Sequence, residues 1–408
     1  MMDNPPHTHQ PQAPERRFRL ADFFNAHWEE YVAGDHKPLR YEQHKAVSAI
    51  RVCRTEALGV DYYACEVCGE VSPVYHSCKN RFCPTCSWSD TLKWADRMEG
   101  KLMKIPHRHV VFTLPHQLNN LIKANQWHLL DFLFKAAAES VKDWMWHKYR
   151  LKPGIISVLH TFGETKDFHC HVHMILSWGG VNSNHWIEQI KGDYVNYEFI
   201  QHKFRCRFED KLVELYDSAS LVHLFKSRID FLGFLKRVNE KNWRVHFEPS
   251  MAIPALVIRY IGRYSKRACL SEYKITSIDG EKISFRYKDY KNLDLNGKPI
   301  EKELTLGYRE FFPRLLQHVP LPFFRIVRYY GAYAARTKAV LNKQYKDPIP
   351  EEVAEEQIED YEMPVNPKVC STCRVEKTYI YSIFKCSSGE IILSKRSLMK
   401  EKRRAIAA

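Results

Sequence analysis

No stretch of this 408-residue chain approaches the ~18 uninterrupted apolar residues of a membrane-spanning helix. A secretory leader is also missing, because Met1 to Arg17 is polar, rich in proline and histidine, and has no apolar core segment. The chain holds no Gly-rich Walker motif, which argues against a fused helicase motor. Internal repeats are absent as well. Acidic side chains are outnumbered by basic ones, 48 against 62, leaving a net charge of +14. An excess of that sign predicts an anionic partner, most often nucleic acid. Together these features predict a cytoplasmic protein that makes no use of a membrane.

Hydrophobic residues make up 45% of the chain and aromatics 13%, which suits globular domains rather than disorder. The length allows two or three of them. Twelve cysteines in a chain without a leader point to metal or thiol chemistry rather than to disulfides. Six fall between positions 53 and 86: Cys53, Cys65, Cys68, Cys78, Cys83 and Cys86. Cys65-Glu66-Val67-Cys68 and Cys83-Pro84-Thr85-Cys86 are two CxxC knuckles 14 residues apart, the spacing of one four-thiolate structural zinc site. Cys78, Cys53, His44 and His76 are left to replace a ligand or build a second site. For Cys53 the plainer reading is a small core hydrophobe. Lys79, Arg81, Lys93 and Arg97 make the module basic, and Arg81 is a candidate DNA contact.

The run Phe168-His169-Cys170-His171-Val172-His173-Met174 carries imidazole at every second position. On a strand, His169, His171 and His173 share one face while Cys170, Val172 and Met174 pack on the other. Such alternation also suits a half-exposed edge strand, but three aligned imidazoles in apolar surroundings favour a divalent metal site.

Around this strand the pattern alternates between helical and extended. Residues 18–60 and 118–146 read as helical, as does Leu92 to Leu102. His109 to Pro115 reads as a buried strand stopped by proline, and Ile155 to Phe162 as a strand that forms a hairpin with the histidine strand. Further strands are expected at Arg244 to Phe247, Ile283 to Tyr287 and Glu303 to Leu306. The fold class is α+β rather than strict βαβ alternation. Glu351 to Glu362 reads as an acidic linker, and the tail from Lys395 to Arg404 is basic. Cys370, Cys373 and Cys386 form a zinc signature with no evident fourth thiol.

Pro254 to Arg267 contains Tyr260 and Tyr264, which lie on one face if the segment is helical. Arg259, Arg263, Lys266 and Arg267 surround them with positive charge. Two phenols so placed could attack phosphodiesters, or simply pack on a core.

Together with His171-Val172-His173, this pair resembles the HUH endonucleases. More closely, the chain is similar to transposases of the insertion sequence ninety-one family. The ordered matches include Cys53-Arg54-Thr55, Ser77-Cys78-Lys79-Asn80-Arg81-Phe82-Cys83-Pro84, Leu159-His160-Thr161-Phe162-Gly163, the histidine strand, Arg259-Tyr260-Ile261-Gly262-Arg263-Tyr264 and Arg328-Tyr329-Tyr330-Gly331. The resemblance implies an HUH domain with a central antiparallel sheet flanked by helices, preceded by a helical zinc-knuckle module. It also implies structural Zn2+ and a catalytic Mg2+ or Mn2+ held by His171 and His173. His169 is the first choice for third ligand, beside an acid or amide from elsewhere, and His160 and His109 are read as core or supporting groups. Tyr260 or Tyr264 would form a 5'-phosphotyrosine with single-stranded DNA at transposon ends, and act on target DNA, in rolling-circle transposition. A homodimer is left open. The expected divisions are a disordered 1–17, a zinc-binding DNA-binding module 18–105, a catalytic domain 106–345, a linker 346–368 and a C-terminal segment 369–408. Two rival readings share parts of this pattern. One is an HUH replication initiator. The other is a zinc-dependent DNA-binding regulator whose duplex binding would survive Tyr260→Phe and Tyr264→Phe.

Overall fold

The computed structural model describes residues 18–99, 101–240, 243–251, 268–335, 337, 368–386 and 389–394. The expected disordered N-terminus, the acidic linker up to residue 367 and the basic tail lie outside them, as does the tyrosine segment, residues 252–267.

In chain order, α1 (Leu20–Ala33) and α2 (Tyr41–Arg51) precede a hairpin of β1 (Val60–Ala64) and β2 (Val71–Tyr75), then α3 (Pro84–Glu99). Next come β3 (His107–Thr113), α4 (Asn119–Ala124) and α5 (Gln126–Tyr149). The hairpin β4 (Gly154–Phe162) and β5 (Phe168–Ser177) is followed by β6 (Gly179–Val181), β7 (Ile187–Gln189), α6 (Tyr197–Asp217), α7 (Arg228–Asn239) and β8 (Arg244–Phe247). Beyond the tyrosine segment lie β9 (Ile275–Asp279), β10 (Lys282–Leu293), β11 (Pro299–Gly307), α8 (Tyr308–Leu316) and β12 (Val327–Gly331). A hairpin of β13 (Thr378–Cys386) and β14 (Gly389–Ser394) comes last. The α+β expectation holds.

The sheet that positions the histidines is antiparallel throughout, in the order β12-β4-β5-β3-β8. The predicted hairpin of β4 and β5 forms its centre. Cys170, Val172 and Met174 are fully buried with Phe112, beneath Phe134 and Val141 of α5 and Phe204 and Phe208 of α6. Burying a side chain of this size contributes roughly 1.5–3 kcal/mol. A one-residue slip would drive three imidazoles into that core, so the alternation itself sets the register. At the sheet edge, Gly331 has φ +58°, and a Cβ there would lie 1.9 Å from the Pro153 carbonyl oxygen. Only glycine lets β12 close on the start of β4.

The expected long helix over 118–146 is broken into α4 and α5 at the buried Asn125. Its side chain donates to the carbonyls of Leu121 and Val222, at 2.9 and 2.8 Å, and accepts from the Val222 N–H. A side chain that bonds both the preceding helical turn and a distant loop in this way competes with the helical ladder.

A second core crosses the expected division at 105/106. Phe23, Phe24 and Trp28 of α1 pack with Phe311 and Phe312 of α8, and Ile283 and Phe285 of β10 join them. Residues 269–319 therefore share a core with the N-terminal helices. A third layer, in the order β14-β13-β1-β2, pairs the last hairpin with the first.

Candidate functional site

The imidazoles lie on the face of the central sheet turned away from α5 and α6, the face on which Ile156 and Ile175 pack with Trp94, Ala95 and Met98 of α3. His171 lies directly opposite His160 on β4, and His173 opposite Val111 on β3. One ring nitrogen from each of His160, His171 and His173 lies within 4.8 Å of the others, close enough to share one ion. His169 does not join this set. Residues four apart on a strand are separated by ~13 Å of rise, whereas cross-strand neighbours stand about 5 Å apart. The third imidazole therefore comes from the partner strand, and His160 replaces His169 as the third candidate ligand.

Hydrogen bonds decide which nitrogen each ring offers. Nδ1 of His171 lies 3.0 Å from the His169 carbonyl oxygen, which can only accept, so the proton sits on Nδ1 and Nε2 keeps its lone pair. Nδ1 of His173 lies 2.8 Å from Nε2 of His109, whose own Nδ1 stands 3.1 Å from Glu248 Oε1. The Glu248 carboxylate, close to His109 Nδ1 though not aligned for a hydrogen bond to it, favours a proton at that nitrogen electrostatically. That proton would let His109 Nε2 accept from His173 Nδ1 and leave His173 Nε2 unprotonated. This carboxylate–imidazole chain orients a ligand as supporting groups do at metal sites. Burial pushes His171 and His173 well below the usual imidazole range, with repulsion from His160 adding to it. Both rings are held neutral, the form that binds a cation.

The cysteines sort differently from the expected ribbon. Cys53, Cys78, Cys83 and Cys86 form one cluster, and Cys65 and Cys68 meet Cys370 and Cys373 in another. The two N-terminal knuckles thus serve separate sites, and the single Cys65–Cys68–Cys83–Cys86 site is corrected. The knuckles are kept apart because Cys65 and Cys68 follow β1, while Cys83 and Cys86 open α3. In the first cluster sulfur–sulfur distances are 3.5 Å for Cys53–Cys86 and 3.6 Å for Cys78–Cys86 and Cys83–Cys53. A tetrahedral zinc site with ~2.3 Å arms has edges of ~3.8 Å, so four thiolates fit one ion with little movement. Cys53 is a cluster member rather than a mere core filler. His76 instead contacts Asp61, at 2.8 Å, and the Leu58 carbonyl, and His44 packs on Trp28.

Arg81, in the loop before α3, is exposed and lines a narrow cleft at the β4 edge together with His160, Phe162, Cys269 and His318. This cleft shares Gln126, Gln317 and Leu321 with a larger one of about 960 Å³ whose walls include Lys37, Arg40, Lys123 and Trp127. Tyr260, Tyr264, Arg259, Arg263, Lys266 and Arg267 lie outside the described residues. The flanks of their segment are anchored. Met251 exchanges two backbone hydrogen bonds with His107 of β3, and the Ala268 N–H donates to Ser87 Oγ, one residue beyond Cys86.

Two family models match the chain. One, described as "Putative transposase", matches residues 154–340, and the other, described as "Transposase zinc-binding domain", matches residues 23–114. The curated "Putative transposase y4qJ" of Sinorhizobium fredii is 30% identical over 337 residues, spanning 80% of this chain and 83% of that protein. The "Transposase for insertion sequence element IS801" of Pseudomonas savastanoi pv. phaseolicola is 28% identical over 310 residues, 73% of this chain and 72% of that protein. No solved structure matches.

Proposed function

Because the chain belongs to the insertion sequence ninety-one family of transposases, we propose that it nicks and rejoins single-stranded DNA at the ends of such an element. In this reading the central sheet is an HUH nuclease sheet, and the tyrosine segment supplies the nucleophile. The observation that carries it is the convergence of His160, His171 and His173 on one face of that sheet.

The phenol oxygen of Tyr260 or Tyr264 bonds to phosphorus and the P–O3' bond breaks. The phenolic proton ends on the departing oxygen, leaving a 5'-phosphotyrosine and a free 3'-hydroxyl. Attack by a 3'-hydroxyl reverses the step and rejoins the strand without an outside energy source. A second tyrosine could accept the other strand, so that two strand ends are held at once. A divalent ion, when bound, supplies Lewis-acid polarisation of the scissile phosphate. Three imidazoles are a poor match for Mg2+, which takes oxygen ligands, so Mn2+ fits this donor set better of the two. The fixed lone pairs of His171 and His173 point the set at one place before substrate arrives.

Support for the tyrosines comes from the two anchors of their segment, one on the histidine sheet and one beside the first zinc cluster. Arg81 at the cleft mouth, with Lys37, Arg40 and Lys123 along the larger cleft, offers phosphate contacts, and Trp127 a stacking surface. Arg259, Arg263, Lys266 and Arg267 would add to them.

The test is a cleavage assay on labelled single-stranded element ends with Mn2+ or Mg2+, comparing wild type with Tyr260→Phe, Tyr264→Phe and the double variant. A metal-dependent covalent protein–DNA adduct, lost in one single variant or only in the double, is expected. Intact DNA binding with no adduct on an authentic end would turn the assignment to a regulator without catalysis.

A further inference from the structure

We propose that Cys65, Cys68, Cys370 and Cys373 form a second structural zinc site, shared between the N-terminal hairpin and the C-terminal segment. The C-terminal half of this site lies beyond both matched family regions, 23–114 and 154–340.

The argument rests on two knuckles with the same backbone. In the first, the Cys65 N–H donates to the Glu70 carbonyl, and the Gly69 N–H donates to the Cys65 carbonyl, at 3.0 and 2.9 Å. In the second, the Cys370 N–H donates to the Val375 carbonyl and the Arg374 N–H to the Cys370 carbonyl, at 2.8 and 3.0 Å. The residue after the second thiol is left-handed in both, Gly69 at φ +73° and Arg374 at φ +58°. A non-glycine residue holds that conformation only where its surroundings require it. Each turn points two sulfurs outward, and the pairs face each other, with all four within 4.8 Å and Cys68 Sγ 3.6 Å from Cys370 Sγ. That distance again approximates the edge of a thiolate tetrahedron.

Charge is arranged to suit. Without an ion the Cys370 thiol donates to the Glu70 carboxylate at 3.2 Å. Four thiolates around Zn2+ would carry two negative charges, with that carboxylate adding a third. The buried ammonium of Lys377 pairs with Glu70 at 3.0 Å and offsets part of this excess. The antiparallel pairing of β1 with β13 brings the two halves together. The C-terminal segment is thereby a working part of the zinc module: Cys370 and Cys373 of the expected C-terminal signature are completed by a knuckle at the other end of the chain, in place of Cys386 and an unnamed fourth thiol.

The experiment is zinc content by atomic emission on the purified full-length protein, with alkylation mapping on the same sample. Two zinc ions per chain are expected in wild type and one in Cys370→Ser/Cys373→Ser. In unaltered protein, Cys68, although exposed, and Cys373 should resist iodoacetamide until a chelator is added, after which Cys65, Cys68, Cys370 and Cys373 should react together. A single zinc in wild type, two in the double variant, or reaction of Cys68 and Cys373 at the rate of free thiols before chelation, would each overturn the proposal. The alkylation readout uses no variant, so a misfolded mutant does not blur the answer.

Discussion

Glu248 reaches His173 through the ring of His109, and its carboxylate bears on how His173 presents itself. With Glu248 3.1 Å from His109 Nδ1, and His109 Nε2 2.8 Å from His173 Nδ1, the proton positions along the chain are set from the carboxylate end. A Glu248→Gln amide can present either a donor or an acceptor to His109, so the preferred tautomer of His173 is lost. Mn2+ affinity should fall about 10–100-fold, read as free Mn2+ by electron paramagnetic resonance titration, with the thermal midpoint little changed. Unaltered affinity would show that the chain of rings merely packs. Glu248 could not be picked from the sequence, because its role depends on β8 lying beside β3. His171 and His173 were legible because period-2 alternation is a local property of the chain.

At the level of elements, the β4–β5 hairpin makes the site. Its pairing sets His160 opposite His171, while the length of β5 carries His169 away from His173. His160→Ala should therefore abolish metal-dependent adduct formation, whereas His169→Ala should keep it within a few-fold, measured with the labelled single-stranded ends. The reverse pattern would restore His169 as the ligand. Here sequence reading found the strand and the hairpin but favoured His169 where the structure groups His160 with the other two rings, because same-strand spacing was visible and cross-strand register was not. Cysteine spacing misled in the same way. Two CxxC pairs at ribbon distance look like one site, and nothing local reveals that β1 carries the first toward β13 while α3 turns the second toward Cys53 and Cys78. The break at Asn125 was likewise out of reach, since Val222 is brought to it only by the tertiary fold.

Across the molecule, the two larger of three hydrophobic cores among the described residues divide the work. One lies under the histidine sheet and includes no candidate zinc thiol, and the other contains Cys53, Cys83 and Cys86 among its buried residues. Where metal binding supplies folding energy, its removal is felt by the core that contains the ligands. Treatment with a strong chelator should raise amide hydrogen exchange in α1, α2 and α8 well before it does so in α5, β4 and β5, followed by mass spectrometry. Uniform loss of protection would mean the cores unfold as one unit. Length and charge alone predicted two or three domains and an anionic partner. The sharing of residues 269–319 with the N-terminal helices was not legible, because no composition shift marks that return.

The pairing of β1 with β13 also has a consequence in time. Cys68 and Cys370 stand 302 positions apart in the chain, and at roughly 5–20 residues per second of synthesis the first waits ~15–60 s on the ribosome for the second to be made. During that interval the outer edge of β1 has no neighbour. A message broken near its 3' end would therefore yield a protein faulty at its beginning, and the earliest-made hairpin is among the last parts of the molecule to be finished.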